Sequence, residues 1–297
     1  MGEGTGQKIR PLHASPLELY GIIGHPVAHS LSPAMHNAAF KAVSRRACYV
    51  PFDVQDVEGA MRGVRALGIK GLSVTVPHKE AVMAYLDEID PLAREIGACN
   101  TIINRAGRLL GTNTDWIGAV KAIDEVCPLK GKRVLVIGAG GSAKAIVKGL
   151  VREGARVHIA NRTREKAEML GMRFECSASG LDIPPGMEFD CLINATTVGM
   201  GADDSMPVAR EVVEASDVVM DIVYSPLNTP LIETARALGK KVINGLRMLL
   251  FQAVAQFELW TGQKAPIHTM EQALKDAFYE AKYDESCLPA GREVWRI

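Results

Sequence analysis

Four groups of residues have types and spacings that could do chemistry. The first is the run Gly138-Ala139-Gly140-Gly141-Ser142-Ala143, between an apolar stretch at 134–137 and a helical segment at 142–153. A G-x-G-x-x-A turn there suits a dinucleotide. Gly138 permits the sharp turn, Gly140 lets the backbone approach a diphosphate, and Ala143 lets the helix pack close to the sheet. The free N–H groups and positive dipole end of the helix face the anion. The second is Asn161-Arg162-Thr163-Arg164, with Lys166 beyond it. An NAD site places an acid there for the ribose hydroxyls. This chain has an arginine instead, able to pair with a phosphate, and no carboxylate to repel one. NADP is expected over NAD.

The third group is Thr75 and Lys79, at the carboxyl end of an apolar run, where open α/β sheets collect ligands. A lysine at a helix start is more often a plain surface charge. The fourth is Ser30 and Ser32, two hydroxyls able to face a ligand carboxylate, although capping alone would explain Ser32. His25, His29 and His36 fall nearby, but no carboxylate or cysteine joins them, so hydrogen-bonding histidines are expected rather than a metal site. Asp115 reads either as a polar site residue or as a helix N-cap. Gln252 reads as a satisfied core amide or a ligand contact.

The elements that must hold these groups follow from periodicity and punctuation. Residues 19–24 read as a strand and 33–43 as a helix, started by Ser32 as N-cap and Pro33 at the first position. A strand at 48–54, a helix at 57–67 and a strand at 71–76 give a βαβ order, hence a second parallel sheet in the N-terminal half. A hairpin separates the polar clusters at 97–101 and 111–116. A helix at 116–126 then bridges to the Pro/Gly linker at 127–131 and the dinucleotide unit. Further strands fall at 191–194, 218–223 and 241–243, with tips expected to line the same crevice as the glycine turn. Long helices at 246–261 and 270–283 close the chain.

Composition bounds the rest. The 297 residues, 47% hydrophobic, suffice for one large or two modest cores. A formal net charge of +0 points away from nucleic-acid and membrane-surface partners. No apolar run is long enough to span a bilayer, and the N-terminus lacks a signal-peptide core, so a cytoplasmic protein is expected. Cysteines 48, 99, 127, 176, 191 and 287 are scattered without a C-x-x-C pair and read as buried thiols.

Taken in order, the motifs GHPVAHSLSPAMHN (24–37), SVTVPHK (73–79), GACNT (97–101), GTNTDWIG (111–118), GAGGSAKA (138–145), NRT (161–163), INATTVGM (193–200), DIVYSPLNTPL (221–231) and NGLRMLLFQ (244–252) are highly specific. The chain closely resembles the shikimate dehydrogenase family of aromatic amino acid (chorismate) biosynthesis, over residues 20–278. The resemblance implies an oxidoreductase that reversibly reduces 3-dehydroshikimate to shikimate with NADPH, as a monomer or homodimer. It implies an α/β, two-domain fold: an N-terminal substrate domain with a mostly parallel sheet (19–115 and 246–285, discontinuous) and a Rossmann-like NADP domain (116–245). A leader (1–18) and a tail (286–297) flank them. The family's substrate positions fall on Ser30, Ser32, Thr75, Lys79, Asn100, Asp115, Tyr224 and Gln252, with Lys79 and Asp115 as the catalytic pair. NADP positions fall on Gly138, Ala139, Gly140, Gly141, Ser142, Asn161, Arg162, Thr163, Arg164, Glu165, Lys166, Ile222 and Gly245. The lysine ammonium would donate the one proton that must reach the developing alkoxide. One departure stands out: Ser73 replaces the usual asparagine, which could lose a contact to a ring hydroxyl or admit water. Two other readings compete, a quinate/shikimate dehydrogenase using both NAD and NADP, and a non-catalytic metabolite-binding regulator.

Overall fold

The computed structural model describes residues 16–184 and 186–283. Most of the leader, all of the 286–297 tail and Cys287 lie outside the described residues.

In the N-terminal half, β1 (Glu18–Gly24), α1 (Ser32–Ala42), β2 (Ala47–Asp53), α2 (Val57–Leu67) and β3 (Gly71–Val74) form the expected βαβ succession. A 3-10 turn (Ala81–Tyr85), β4 (Glu88–Ile89) and α3 (Pro91–Ile96) follow, then the hairpin β5 (Thr101–Arg105) and β6 (Arg108–Thr112). These strands make one sheet in the order β2-β1-β3-β5-β6-β4. It is mixed rather than wholly parallel. β1 runs parallel to β2 and β3, and β4 to β6, but β5 pairs antiparallel with both β3 and β6. The two-residue turn at Ala106 and Gly107, both at positive φ, can only reverse the chain, so the hairpin has to be antiparallel.

Helix α4 (Asp115–Asp124) leads to the second sheet, built by β7 (Arg133–Ile137), α5 (Gly141–Arg152), β8 (Arg156–Ala160), α6 (Arg164–Phe174) and β9 (Ser177–Ser179). The chain then returns through β10 (Phe189–Asn194), α7 (Arg210–Glu214), β11 (Ser216–Asp221), α8 (Pro230–Ala237) and β12 (Lys241–Ile243). The order is β12-β11-β10-β7-β8-β9, with every pairing parallel. Helices cover both faces, as a parallel sheet requires. Val134 and Val136 of β7 enter one apolar cluster, and Leu135 and Ile137 enter another on the opposite face. The strand order reverses between β7 and β10, which opens a crevice at their carboxyl ends.

Two helices complete the chain, α9 (Gly245–Thr261) and α10 (Ile267–Tyr283). α9 serves both halves. Its Met248 and Phe251 pack into the core of the second sheet, while Leu250, Ala253, Val254, Phe257 and Trp260 join Tyr20, Met35 and Phe40 beside the first. The contact between α4 and α9 depends on a missing side chain. A Cβ on Gly118 would lie 2.6 Å from the Met248 carbonyl oxygen and 3.1 Å from the Gln252 nitrogen. No helix among the described residues is long and apolar enough to cross a membrane.

Some local expectations need correction. The N-cap position of α1 is Leu31, so Ser32 is the first helical residue and its own N–H donates to Ser30 Oγ (3.3 Å). Asp115 is likewise inside its helix, with Thr114 as N-cap and Asn113 Oδ1 accepting the Asp115 N–H at 2.9 Å. The three histidines do not act alike. His25 Nδ1 lies 2.8 Å from Asp53, but His36 is fully buried, stacks on Tyr49 and has no partner for either ring nitrogen. Cys99, Cys127 and Cys191 are buried free thiols, whereas Cys48 and Cys176 are only half-buried.

Candidate active site

Lys79 follows β3 by a short turn, and Asp115 opens α4. Lys79 Nζ donates to Asp115 Oδ2 at 2.7 Å, with the two side chains 15% and 7% exposed. The amine therefore faces inward, away from bulk water. The Asp115 N–H donates to Asn113 Oδ1, and no hydrogen bond from a backbone N–H to the Asp115 carboxylate is seen among the described residues. Asn100 Nδ2 donates to its second oxygen at 2.7 Å and lies 3.4 Å from Gln252 Oε1. Gln252 in turn donates to the Leu249 carbonyl at 2.9 Å. Lys79, Asp115, Asn100 and Gln252 thus form one bonded group drawn from both ends of the chain.

Among the described residues, the remaining sequence candidates make no hydrogen bond to this group. Ser30 and Ser32 sit together at the start of α1. Tyr224 packs on the apolar cluster that contains Leu31 and Met35, and burial raises its phenol pKa. Thr75 lies just past β3, where its N–H donates to the Ile23 carbonyl at 2.9 Å.

On the second sheet, the turn after β7 has the properties a diphosphate needs. Gly138 adopts φ 119° and sits so close to the next strand tip that a Cβ would lie 3.0 Å from Thr196 Cγ2. Gly140 is the N-cap of α5, and no side chain caps that helix. A Cβ on Gly140 or Gly141 would meet nothing within 4 Å, so there is open space beside the start of α5. The tips beyond β10, β11 and β12 converge here as expected. Gly201 N–H donates to the Ser225 carbonyl at 2.9 Å, and the Gly245 backbone presses against Ile222 and Val223 so tightly that no side chain would fit.

A cavity of about 540 Å³ lies beyond β8, lined by Arg162, Arg164, Ser179, Gly180, Leu181, Asp182 and Pro184. Arg164 Nε donates to Glu168 at 2.7 Å, while no such partner engages Arg162 among the described residues. Asp182 corrects the expectation that no carboxylate would stand nearby. It comes from the segment after β9, too far along the chain to be read from the arginine cluster. Asn161 turns its amide to the Thr163 carbonyl (2.8 Å), and Glu165 and Lys166 ride on α6 outside the cavity lining.

Sequence reasoning missed a buried node at the tips of β10 and β11. Asn194 Nδ2 donates to Asp221 Oδ1 (3.0 Å), and Thr229 Oγ1 donates to Asp221 Oδ2 (2.7 Å). Asn194 Oδ1 accepts from Thr196 N–H and Oγ1, while Asp221 also takes the Val223 N–H. All three node residues are fully buried, and burial raises the Asp221 pKa. The node pins the loops that carry Ile222 and Tyr224. Its signal was an acid and an amide ending two apolar strands.

Residues 22–102 match the family model for the shikimate dehydrogenase substrate binding domain, 120–198 that for shikimate/quinate 5-dehydrogenase, and 245–275 that for the shikimate 5′-dehydrogenase C-terminal domain. The shikimate dehydrogenase (NADP(+)) of Pyrococcus abyssi is 46% identical over 258 residues, covering 86% of this chain and 97% of that one. The chain belongs to the shikimate dehydrogenase family. A second relative, the shikimate dehydrogenase (NADP(+)) of Methanocella arvoryzae, is 46% identical over 88% of this chain and 99% of its own. The shikimate 5-dehydrogenase of Thermus thermophilus, solved in complex with NADP(H) and shikimate, superposes with a TM-score of 0.82 at 38% identity, covering 88% of this chain and 99% of that one. Against the family pattern, Ser73 leaves no gap. It is 5% exposed, accepts from Tyr49 Oη at 2.7 Å and donates to Gln256 Oε1 at 2.8 Å.

Proposed function

We propose that this protein catalyses the reversible, NADPH-dependent reduction of 3-dehydroshikimate to shikimate. The observation that carries the reading is the inward-facing Lys79–Asp115 pair, 2.7 Å apart and joined to Asn100 and Gln252. Residues 19–115 and 246–285 form the substrate-binding unit in this reading, and 116–245 the cofactor unit. The return of α9 and α10 to the Tyr20–Phe40 cluster supports that division.

The open, uncapped start of α5 suits a diphosphate, and Arg162 in its cavity suits a 2′-phosphate. NADPH, when bound, supplies the hydride. The protein's own residues handle the proton and the binding. Lys79 donates a proton to the oxygen of the carbon being reduced, and its positive charge stabilises the alkoxide before transfer. Asp115 fixes the ammonium in place. Asn100, Asp115, Gln252 and Thr75 sort the ring hydroxyls, while Ser30, Ser32 and Tyr224 offer neutral donors to the substrate carboxylate. A site of paired polar groups rejects an analogue that leaves one unpaired.

The free thiols fit a cytoplasmic enzyme, and the family resemblance points to a monomer or homodimer. The test is an absorbance assay of NADPH formed from shikimate and NADP, with quinate and NAD run in parallel. Lys79→Ala should lower kcat about 10²–10⁴-fold while leaving the KM for NADPH near its original value. Near-normal turnover in that variant would remove Lys79 from the mechanism.

A further inference from the structure

Gln256 stands one turn beyond Gln252 on α9, fully buried, and belongs to none of the ligand-binding groups described above. Its amide is held at both ends. Oε1 accepts from Ser73 Oγ at 2.8 Å, and the Ser73 oxygen itself accepts from Tyr49 Oη at 2.7 Å. Burial pushes the Tyr49 phenol well above its ordinary value, so it keeps its proton and remains the donor. With Oε1 so engaged, Nε2 points the other way. It donates to the Asn100 carbonyl at 3.1 Å and to Thr101 Oγ1 at 3.0 Å.

That contact decides what Thr101 does. A hydroxyl that accepts from an amide is free to pass its own proton on, and Thr101 Oγ1 donates to Asn100 Oδ1 at 2.8 Å. The Thr114 N–H donates to the same oxygen at 2.7 Å. With the Thr114 hydroxyl also directed at Oδ1 (3.2 Å), three donors on that oxygen leave the amine of Asn100 to face Asp115 Oδ1 at 2.7 Å. Turned over, Asn100 would set an oxygen against the carboxylate and a nitrogen against the Thr114 N–H. The donors therefore run in one direction, Tyr49 to Ser73 to Gln256 to Thr101 to Asn100 to Asp115, and Lys79 meets the last member from the other side.

We infer that Gln256, acting through Thr101, is a positioning residue that sets the orientation of Asn100 and so the geometry of the Lys79–Asp115 pair. The inference rests on the proposed role of that pair. Gln256 itself is not a catalytic residue. The serine at position 73 belongs to this device: its hydroxyl is small enough to stand between the Tyr49 phenol and the Gln256 amide and to bond both.

A double-mutant cycle on the full-length protein tests this. Gln256→Met keeps the volume and removes all three hydrogen bonds of the amide. Thr101→Val keeps the shape and removes the hydroxyl, and Thr101→Ser restores it. Each of the first two should lower kcat about tenfold, the size of one lost hydrogen bond, with the KM for NADPH unchanged. Because they cut the same path, the double variant should lose no more than either alone. Thr101→Ser should turn over near the wild-type rate. A purely structural role would lower the melting temperature and leave kcat untouched below it. Unchanged kcat in Gln256→Met, or a roughly hundredfold loss in the double variant, overturns the inference. Should Gln256→Met not fold, Thr101→Val against Thr101→Ser decides alone, and equal kcat in the two overturns it. These outcomes are separate from a failure of the proposed function, which would show as wild-type protein inactive on shikimate or as an active Lys79→Ala.

Discussion

Arg164 commits its guanidinium to Glu168, which leaves Arg162 as the cation of its cavity able to pair with a 2′-phosphate. Asp182, in the same lining, bears the opposite charge and would accept ribose hydroxyls more readily than it would tolerate a phosphate. In the proposed reading, cofactor choice would be a balance between one guanidinium and one carboxylate. Replacing Arg162 with aspartate should lower kcat/KM for NADP by about 10–100-fold, the range of a lost charge-assisted bond, and lower it far less for NAD. Initial rates with both cofactors check this, and equal losses would show that Arg162 does not read the phosphate. The arginine was legible in the chain because it follows its strand directly. Asp182 was not, because only the path after β9 brings it there. His36 shows the same limit at a single residue. Its sequence neighbours suggested a hydrogen bond, whereas stacking on Tyr49 among Phe40 and Trp260 leaves it none.

Among the elements, α4 and α9 hold the site together, since one starts with Asp115 and the other carries Gln252 and Gln256. Gly118 lets them cross closely. Gly118→Ala would put a methyl group 2.6 Å from the Met248 carbonyl oxygen, and a helix backbone cannot yield to it cheaply. We expect a loss of about 1–3 kcal/mol from this overpacking. The KM for shikimate should rise as well, because the displaced turn carries Gln252. Thermal unfolding and steady-state kinetics on one preparation test both effects, and a stable variant with a changed KM would separate them. The long helix at 246–261 was plain from its apolar run. Its role in both halves was not, because near-continuous hydrophobicity does not say which face meets which core. The short β4, α3, β9, α7 and α8 escaped the sequence reading, as did α6, whose Arg162–Lys166 start was read only for its charges. Elements of two to eight residues carry too little periodicity, and tertiary packing stabilises them.

At the scale of the whole molecule, the two halves are fastened next to Lys79. Lys144 of α5 donates to Glu80 at 2.7 Å, beside Lys79, and Lys148 pairs with Glu95 on α3. Global stability carries its own pH signature through His36, whose pKa burial pushes from the ordinary 6.5 down to about 3. The unfolded chain takes up a proton that the folded one refuses. Stability is therefore intact above about pH 6.5 and declines as pH falls towards about 3, by at most about 1.4 kcal/mol per pH unit from this group. His36→Phe keeps a ring in the aromatic cluster and removes the titration, so urea unfolding should show a shallower loss between pH 6.5 and pH 4 than the wild type. Parallel curves would dismiss His36 as the cause. The amino-acid sequence by itself determined what is local: the strand, glycine turn and helix of the cofactor unit, the arginine after it, and the family to which the motifs point. Those features depend on neighbours within a few turns of chain, so order and type are enough. Only the tertiary structure decided which side chains meet. Lys79 reaches Asp115 across 36 residues and Ser73 reaches Gln256 across 183, and hydrogen bonds that close such loops exist only once two sheets and α9 have fixed their ends in space.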